Sequence, residues 1–328
     1  MPNIILNKSY KARLLIISAV CGTIITLVVG ALFLLKLTIP VYQYARAYQY
    51  YIGQGVAIDY KKAVEWYRKA AVQGYAPAQF GLGACYSDGK GVSLDNVEAV
   101  KWYRKAAEQG NADAQNGLAI HYDMGSGVEK NTEEAVKWYR KAAEQGIASA
   151  QCGLGARYFA GMDVIQDDSE AVKWYQKSAN QGYDAAEYSI GICYVDGRGV
   201  AKNDSEAAKW FQKAADKGLA EAQYQLGVCY DNGFGVEKDT TKAMNWYRKA
   251  AEQGNAEAQM LLGNCYALGR GVPIDYWQAC TWLYKSSKKG NAKAEKILNI
   301  VISDVGGKLN KTPTEVFTAL EKEYQASQ

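Results

Sequence analysis

A period of 36 residues constrains this chain more than any other feature. Trp66, Trp102, Trp138, Trp174, Trp210, Trp246 and Trp282 recur at that step. So do Gly74, Gly110, Gly146, Gly182, Gly218, Gly254 and Gly290, and Tyr50, Tyr86, Tyr122, Tyr158, Tyr194, Tyr230 and Tyr266. No insertion or deletion interrupts the series, so seven units fill residues 39–290 of 328. Such a period marks a repeat architecture, in which each unit buries its apolar side only by stacking on the next.

Each unit reads as a pair of helices. In residues 112–146 the first is ADAQNGLAIHYDM, with Ala114, Leu118 and Tyr122 at helical spacing. The second is TEEAVKWYRKAAEQ, with Ala135, Trp138, Tyr139, Ala142 and Ala143, and Gly146 ends it. Gly125-Ser126-Gly127-Val128 joins the two. Asp95 with Glu98, Asn131 with Glu134, Asp167 with Glu170, Asn203 with Glu206 and Asp275 with Gln278 have capping-box spacing before the second helix. A single Gly-x-Gly would suggest a phosphate loop. One that recurs at every helix–helix turn is structural and supplies positive φ. Repeat four has Gly161-Met162-Asp163 instead. Asp tolerates the left-handed region, so that turn is expected either to persist or to mark a kink or contact site. After the seventh unit, residues 291–328 read as a cap: an eighth first-helix pattern over 292–303, a break over 304–311, then Thr312-Pro313-Thr314-Glu315 opening a helix of about 313–325.

The 36-residue step, the Gly-x-Gly-Val turn, AVKWYRKAAEQG and the Ala-x-Ala-Gln-x-x-Leu-Gly helix resemble the Sel-one-like repeat, a relative of the tetratricopeptide repeat. The resemblance covers about three quarters of the chain. It implies an all-α fold, a right-handed α/α superhelical solenoid of seven helix-pair repeats, whose usual task is to bind other proteins. Family members act as adaptors, and some bacterial members are immunity proteins against secreted antibacterial phospholipases.

Residues 14–35, LLIISAVCGTIITLVVGALFLL, form a run of 22 residues without a charge. As a helix it spans about 33 Å, enough to cross a bilayer core. A cleaved signal would have a shorter apolar region, and cleavage after Ala45-Arg46-Ala47 would destroy the first repeat. Cys21 follows Val20, where a lipoprotein site would place a small residue. We therefore expect a basic tail over 1–13 and an uncleaved transmembrane helix over 14–36. Lys8, Lys11 and Arg13 precede the run, and only Lys36 and Arg46 follow closely. That balance places the N-terminus inside and the repeats outside, in the periplasm if the membrane is a bacterial inner membrane.

The chain carries 38 basic and 34 acidic residues, but residues 1–40 hold four of the basic ones and no acid. The remainder is neutral and lacks the basic footprint of a nucleic-acid binder. Lys-rich strings such as Lys137–Lys141 alternate with Glu along helix faces, as solvated surfaces do. Seven cysteines are present. Cys85, Cys193, Cys229 and Cys265 share one repeat position, held elsewhere by His121 and Arg157. Adjacent repeats keep such positions about 10 Å apart, too far for shared metal ligation or a disulfide. They read as small buried thiols, with a Cys265–Cys280 pair the alternative. The cysteine-rich branch of the family staples repeats with Cys pairs eight residues apart. Ala107 and Gln115 stand at those positions here, so the lactamase-like hydrolase activity proposed for that branch gains no support. His121 is the sole His and reads as structural, and Asp167-Asp168 reads as a helix start. No catalytic residue, cofactor or metal ligand is expected.

Positions that vary between repeats are free for a partner. On the first helix these are 77, 80, 84 and 87 of repeat two and their equivalents, one helical face. In related folds this helix lines the concave surface. The expected protein-binding set is Tyr44, Tyr48, Tyr51, Phe80, Asn116, Asp123, Phe159, Tyr188, Tyr224, Asp231, Met260 and Asn264, a hot-spot composition. Some equivalents, Ile120, Ile192 and Val228, read as core, and Tyr44, Tyr48 and Tyr51 could instead cap the first repeat or join an interfacial aromatic belt. The expected function is a membrane-anchored adaptor or scaffold, one concrete version being an immunity protein that occludes a secreted effector such as a phospholipase. The alternatives are a constitutive envelope-complex scaffold and, from another class, a peptidoglycan or lactam hydrolase.

Overall fold

The computed structural model describes residues 39–305 and 312–326. The expected basic tail and transmembrane helix lie outside the described residues. Within them, no helix is long and apolar enough to cross a membrane.

The described residues form an all-α solenoid of sixteen helices, with no strand among them. The chain divides into two compact units between Gln145 and Gly146. The first unit holds repeats one to three: α1 (39–52), α2 (Tyr60–Ala71), α3 (Ala76–Asp88), α4 (Asn96–Glu108), α5 (Ala112–Met124) and α6 (Thr132–Glu144). The second holds repeats four to seven: α7 (Ala148–Ala160), α8 (Asp168–Ala179), α9 (Asp184–Asp196), α10 (Asp204–Asp216), α11 (Ala220–Asn232), α12 (Thr240–Glu252), α13 (Ala256–Leu268) and α14 (Tyr276–Lys288). Its cap is α15 (Ala292–Val305) and α16 (Pro313–Ala326). Odd-numbered helices up to α15 are the first, or A, helices; even-numbered helices up to α14 are the B helices.

Small residues on each A helix let an aromatic ring of its B helix approach. A Cβ added at Gly83 would lie 2.8 Å from Tyr103, and one at Gly191 would lie 2.5 Å from Phe211. Tyr103, Tyr175, Phe211 and Tyr247 are accordingly buried, each displacing far more water than the glycine contact costs. The second glycine of the A–B turn is held more tightly. At Gly127 (φ 71°) a Cβ would meet the Asn96 carbonyl oxygen at 2.1 Å, and at Gly235 (φ 69°) the Asp204 carbonyl oxygen at 2.1 Å. Asp163 keeps the turn with φ 57°, the one non-glycine residue at positive φ among those described. It faces the buried Arg157 across 3.9 Å.

The B-helix starts depart from a full capping box. Asn131 accepts from the Glu134 N–H, and Asp95, Asp167, Asn203 and Asp275 do the same three residues on. The reciprocal half is not made. The N-cap N–H donates instead to the carbonyl of the repeating Tyr, as from Asn131 to Tyr122 at 2.9 Å and from Asp95 to Tyr86 at 3.0 Å. The freed Glu side chain pairs with a Lys one turn on, as in Lys101–Glu98 at 2.6 Å. Asp59 and Asp239 cap equally well with Lys at the third position. The hydroxyl of the repeating Tyr accepts from an Arg of the preceding B helix, as in Arg104–Tyr122 at 2.7 Å. The one reciprocal box is at α16, where Thr312 N–H donates to Glu315 at 2.7 Å and Glu315 N–H returns to the Thr312 hydroxyl.

Candidate functional site

The candidate residues occupy the A helices, and the structure sorts them into columns. At the position of Phe80 sits an aromatic ring leaning on the B-helix aromatic of its own repeat. Tyr44–Tyr67, Phe80–Tyr103 and Tyr188–Phe211 have ring centroids 5.8 Å apart, and Tyr224–Tyr247 6.4 Å. Each of the four is half-buried. Burial also raises the hydroxyl pKa of Tyr44, Tyr188 and Tyr224 above its ordinary value, so these groups present a neutral O–H. Asn116 is half-buried in this column. Met260 is not on a free face: it is buried in the cluster beneath the cap.

At the position of Ala84, Tyr48 is exposed and Asn264 half-buried. Ile192 and Val228 pack against neighbouring clusters, in keeping with a core role.

The third column is spent largely on the stack itself. Its partner is the middle residue of the next repeat's Gly-x-Gly turn, 39 positions on. Lys90 donates to the Tyr51 hydroxyl at 3.2 Å, Arg198 lies 3.5 Å from the Phe159 ring, and Arg270 donates to Asp231 at 2.9 Å. Val195 and Phe234, the equivalent apolar pair, line one 180 Å³ cavity. Aromatic meets cation, acid meets base and apolar meets apolar, so variation here records pairing between repeats rather than freedom. Asp123 is half-buried in the same column.

A second device, which ties each A helix to the preceding B helix and to the end of its own, was not legible as such. The Gln of Ala-x-Ala-Gln is buried and donates to the preceding B helix, as from Gln115 to the Ala107 carbonyl at 3.1 Å. Its own oxygen accepts from the residue 30 positions on: Gln109 to Gln79 and Gln145 to Gln115 at 2.7 Å, and Gln181 to Gln151 and Gln253 to Gln223 at 2.8 Å. Where Glu187 replaces Gln, Lys217 replaces its donor at 2.7 Å. That matched exchange was the available signal.

The groups capable of chemistry are held in structural bonds. Cys85, Cys152, Cys193, Cys229, Cys265 and Cys280 are free thiols, and burial pushes each up to about 11. Cys265 and Cys280 do not pair. His121 is buried, with Nδ1 2.8 Å from the Ser126 carbonyl and Nε2 3.4 Å from the Ser87 hydroxyl. A carbonyl only accepts, so Nδ1 carries a proton. Asp167 caps α8, and Asp168 takes both Arg198 Nε at 3.0 Å and a terminal nitrogen at 2.6 Å. Among the described residues no cluster of three or more His, Cys, Asp or Glu is placed to hold a metal.

Repeated helix pairs of this kind define an α-repeat solenoid. The chain belongs to the Sel1 repeat family: the Sel1 repeat matches residues 40–75, 76–111, 112–147, 148–183, 184–219, 220–255 and 256–291. A protective antigen of uropathogenic Escherichia coli with an SLR fold is 35% identical over 87% of this chain, with a TM-score of 0.70. This chain spans only 62% of that protein's length. A Sel1 repeat protein from Oxalobacter formigenes is 36% identical over 80% of this chain and 76% of its own, with a TM-score of 0.66. An immunity protein of Pseudomonas aeruginosa lies further off, at 23% identity over 65% of this chain and 81% of its own with a TM-score of 0.44, and carries no functional argument. No curated protein matches the chain.

Proposed function

We propose that this chain is a membrane-anchored adaptor that takes a protein partner on the A-helix face, with residues 14–36 crossing a bacterial inner membrane and the repeats in the periplasm. The observation that carries the partner site is a repeated one: Tyr44 and Phe80 in the first unit, and Tyr188 and Tyr224 in the second, are half-buried rings that each rest on a B-helix aromatic. Rings fixed before binding lose little side-chain entropy on contact, which favours them as anchors. The anchor rests on the 22-residue uncharged run and its flanking charges.

Photo-crosslinkers placed at Tyr188 and Tyr224, and for comparison at Lys213 and Lys249 on the B helices, test the face. Adducts from the first pair alone are expected; adducts only from the second would overturn the assignment. Alkaline phosphatase fused after Gln328 tests the orientation, since it is active only outside the cytoplasm. The finer reading is an immunity protein that occludes a secreted effector such as a phospholipase, supported by the preformed face and the electrically neutral body. Cells lacking the protein that stayed as resistant to neighbouring siblings as wild type would remove it and leave the envelope scaffold.

A further inference from the structure

Charge is segregated in the second unit, although the chain beyond residue 40 is neutral as a whole. The A helices α7, α9, α11 and α13 carry six acids against one base. The B helices α8, α10, α12 and α14 carry six acids against nine bases. The two sets of helices also treat their carboxylates differently. On the B helices Glu170 pairs with Lys173 at 3.0 Å and Glu206 with Lys209 at 2.7 Å, one turn on. On the A helices Lys217 and Arg270 take Glu187 and Asp231 within the stack. Asp184, Asp196, Glu221 and Glu257 have no ion-pair partner among the described residues, and the last three are exposed. Arg157, the one base on these helices, is buried and faces Asp163.

Two of the unpaired carboxylates stand among the half-buried rings. Glu221 and Tyr224 are three apart on α11 and so share a face. Tyr188, one repeat earlier, bonds with the Gln225 amide and is close enough to Glu221 to feel its charge. Tyr224 stands in the same relation to the Glu257 charge of the next repeat. Ring and carboxylate therefore alternate across repeats five to seven: Tyr188, Glu221, Tyr224, Glu257. The 180 Å³ cavity adjoins this row, because Gln225 belongs to both and Val228 lies one turn beyond Tyr224. Val195, Phe211, Val228 and Phe234 give it apolar walls beside Lys202 and Asp204. An apolar cavity of about 150 Å³ takes up benzene, so this one has room for a single aliphatic or aromatic side chain. Phe234 is itself exposed.

We infer, resting on the A face as the partner site, that repeats five to seven take a Lys/Arg-bearing segment of a partner protein. Its cations would lie between the Tyr188 and Tyr224 rings and the Glu221 and Glu257 carboxylates, and one apolar side chain would enter the cavity. A ring face and a carboxylate both favour a cation, and together they favour one that brings its own apolar stem. The same charges repel nucleic acid and anionic lipid. The cavity beside the row favours a polypeptide, which carries cationic and apolar side chains a few residues apart.

The test probe is a fluorescein-labelled dodecapeptide of alternating arginine and serine with one central leucine. In one control glutamate replaces arginine; in another serine replaces leucine. Binding to the full chain in detergent is followed by fluorescence anisotropy at low salt. The arginine peptide is expected to bind and the glutamate peptide not. Loss of the leucine is expected to weaken binding about ten-fold. Glu221→Gln and Glu257→Gln, both at exposed positions, should each weaken it about three-fold and together about ten-fold. Tyr188→Ala and Tyr224→Ala should each cost about three-fold, and the Phe variants should recover it. Glu170→Gln with Glu206→Gln on the B helices should change nothing. An arginine peptide that fails to bind, binds no better than the glutamate peptide, or binds the Glu221→Gln/Glu257→Gln double variant equally well would overturn the inference. Crosslinkers at Tyr188 and Tyr224 separate it from the reading on which it rests. Partner adducts whose yield the double variant does not lower would overturn the cationic segment and leave the partner face standing. Adducts from Lys213 and Lys249 alone would overturn both.

Discussion

Among the described residues the last repeat is closed by protein, and the first is not. At the C-terminal end Val316 and Leu320 of α16 are buried against Leu283, Leu298 and Ile302. The Tyr284 hydroxyl donates to Glu321, and Lys288 pairs with the same carboxylate at 2.8 Å. At the other end Tyr42 of α1 is exposed, although its counterparts Ala78 and Ala114 are buried. A repeat array needs a polar outer face at each end. The amphipathic α16 supplies one in protein, whereas the first repeat turns apolar residues and cations outward. The difference teaches that the two ends of one repeat series need not be finished in the same way.

The expected effects that would break or sharpen this contrast run from large to small. The glutamine ladder sets the scale. Lys217→Ala strands the buried Glu187 carboxylate and is expected to cost about 3 kcal/mol, the low end for a broken buried pair because Lys217 keeps part of its side chain in water. Glu187→Gln with Lys217→Gln, the pairing used elsewhere, should recover most of that in a urea-unfolding double-mutant cycle. Next, Leu320→Ala removes a buried side chain and is expected to cost about 2–3 kcal/mol. Tyr48→Ala in detergent should change stability by less than about 0.5 kcal/mol; equal losses at the two ends would erase the contrast.

The ladder is itself imperfect at the closed end. Gln259 Oε1 is buried without a hydrogen-bond partner, and Lys289, 30 positions on, donates to the Gly254 carbonyl at 2.6 Å. Lys289→Gln is expected to restore the step and to stabilise by about 1 kcal/mol. Thr312→Ala should cost about 1 kcal/mol through the lost cap of α16. The final test is pH. The Lys288 ammonium and the Tyr284 hydroxyl lower Glu321 from 4.5 to about 2. A depressed carboxylate stabilises the folded state above its unfolded pKa and loses that contribution as pH falls through the folded one. Hydrogen-exchange protection in α16, taken relative to the intrinsic rate at each pH, should therefore fall between pH 4.5 and 2, and Glu321→Gln should flatten that profile while leaving α1 and α2 unchanged.

Much of the fold was legible because its causes are local or periodic. The 36-residue step, the N-cap residues and the paired glycines belong to single turns of chain, and each lies where the spacing predicts. The C-terminal box of Thr312 and Glu315 could be read for the same reason. The B-helix boxes were only half right, since spacing cannot reveal that the repeating Tyr carbonyl already holds the N-cap N–H. The candidate face was read with the same mixture. Internal comparison located the variable positions, yet Tyr51, Phe159 and Asp231 vary because each is matched to a residue 39 positions later.

The sequence by itself determined the repeat, its phase, the helix boundaries and the family, because these follow from hydrophobic period and from backbone groups satisfied within a few residues. Only the tertiary structure decided which variable side chains tie neighbouring repeats together and which keep an open edge. It also decided that Met260 belongs to the core. Burial depends on what packs from tens of residues away, and a pattern within one helix cannot report whether a neighbour is there.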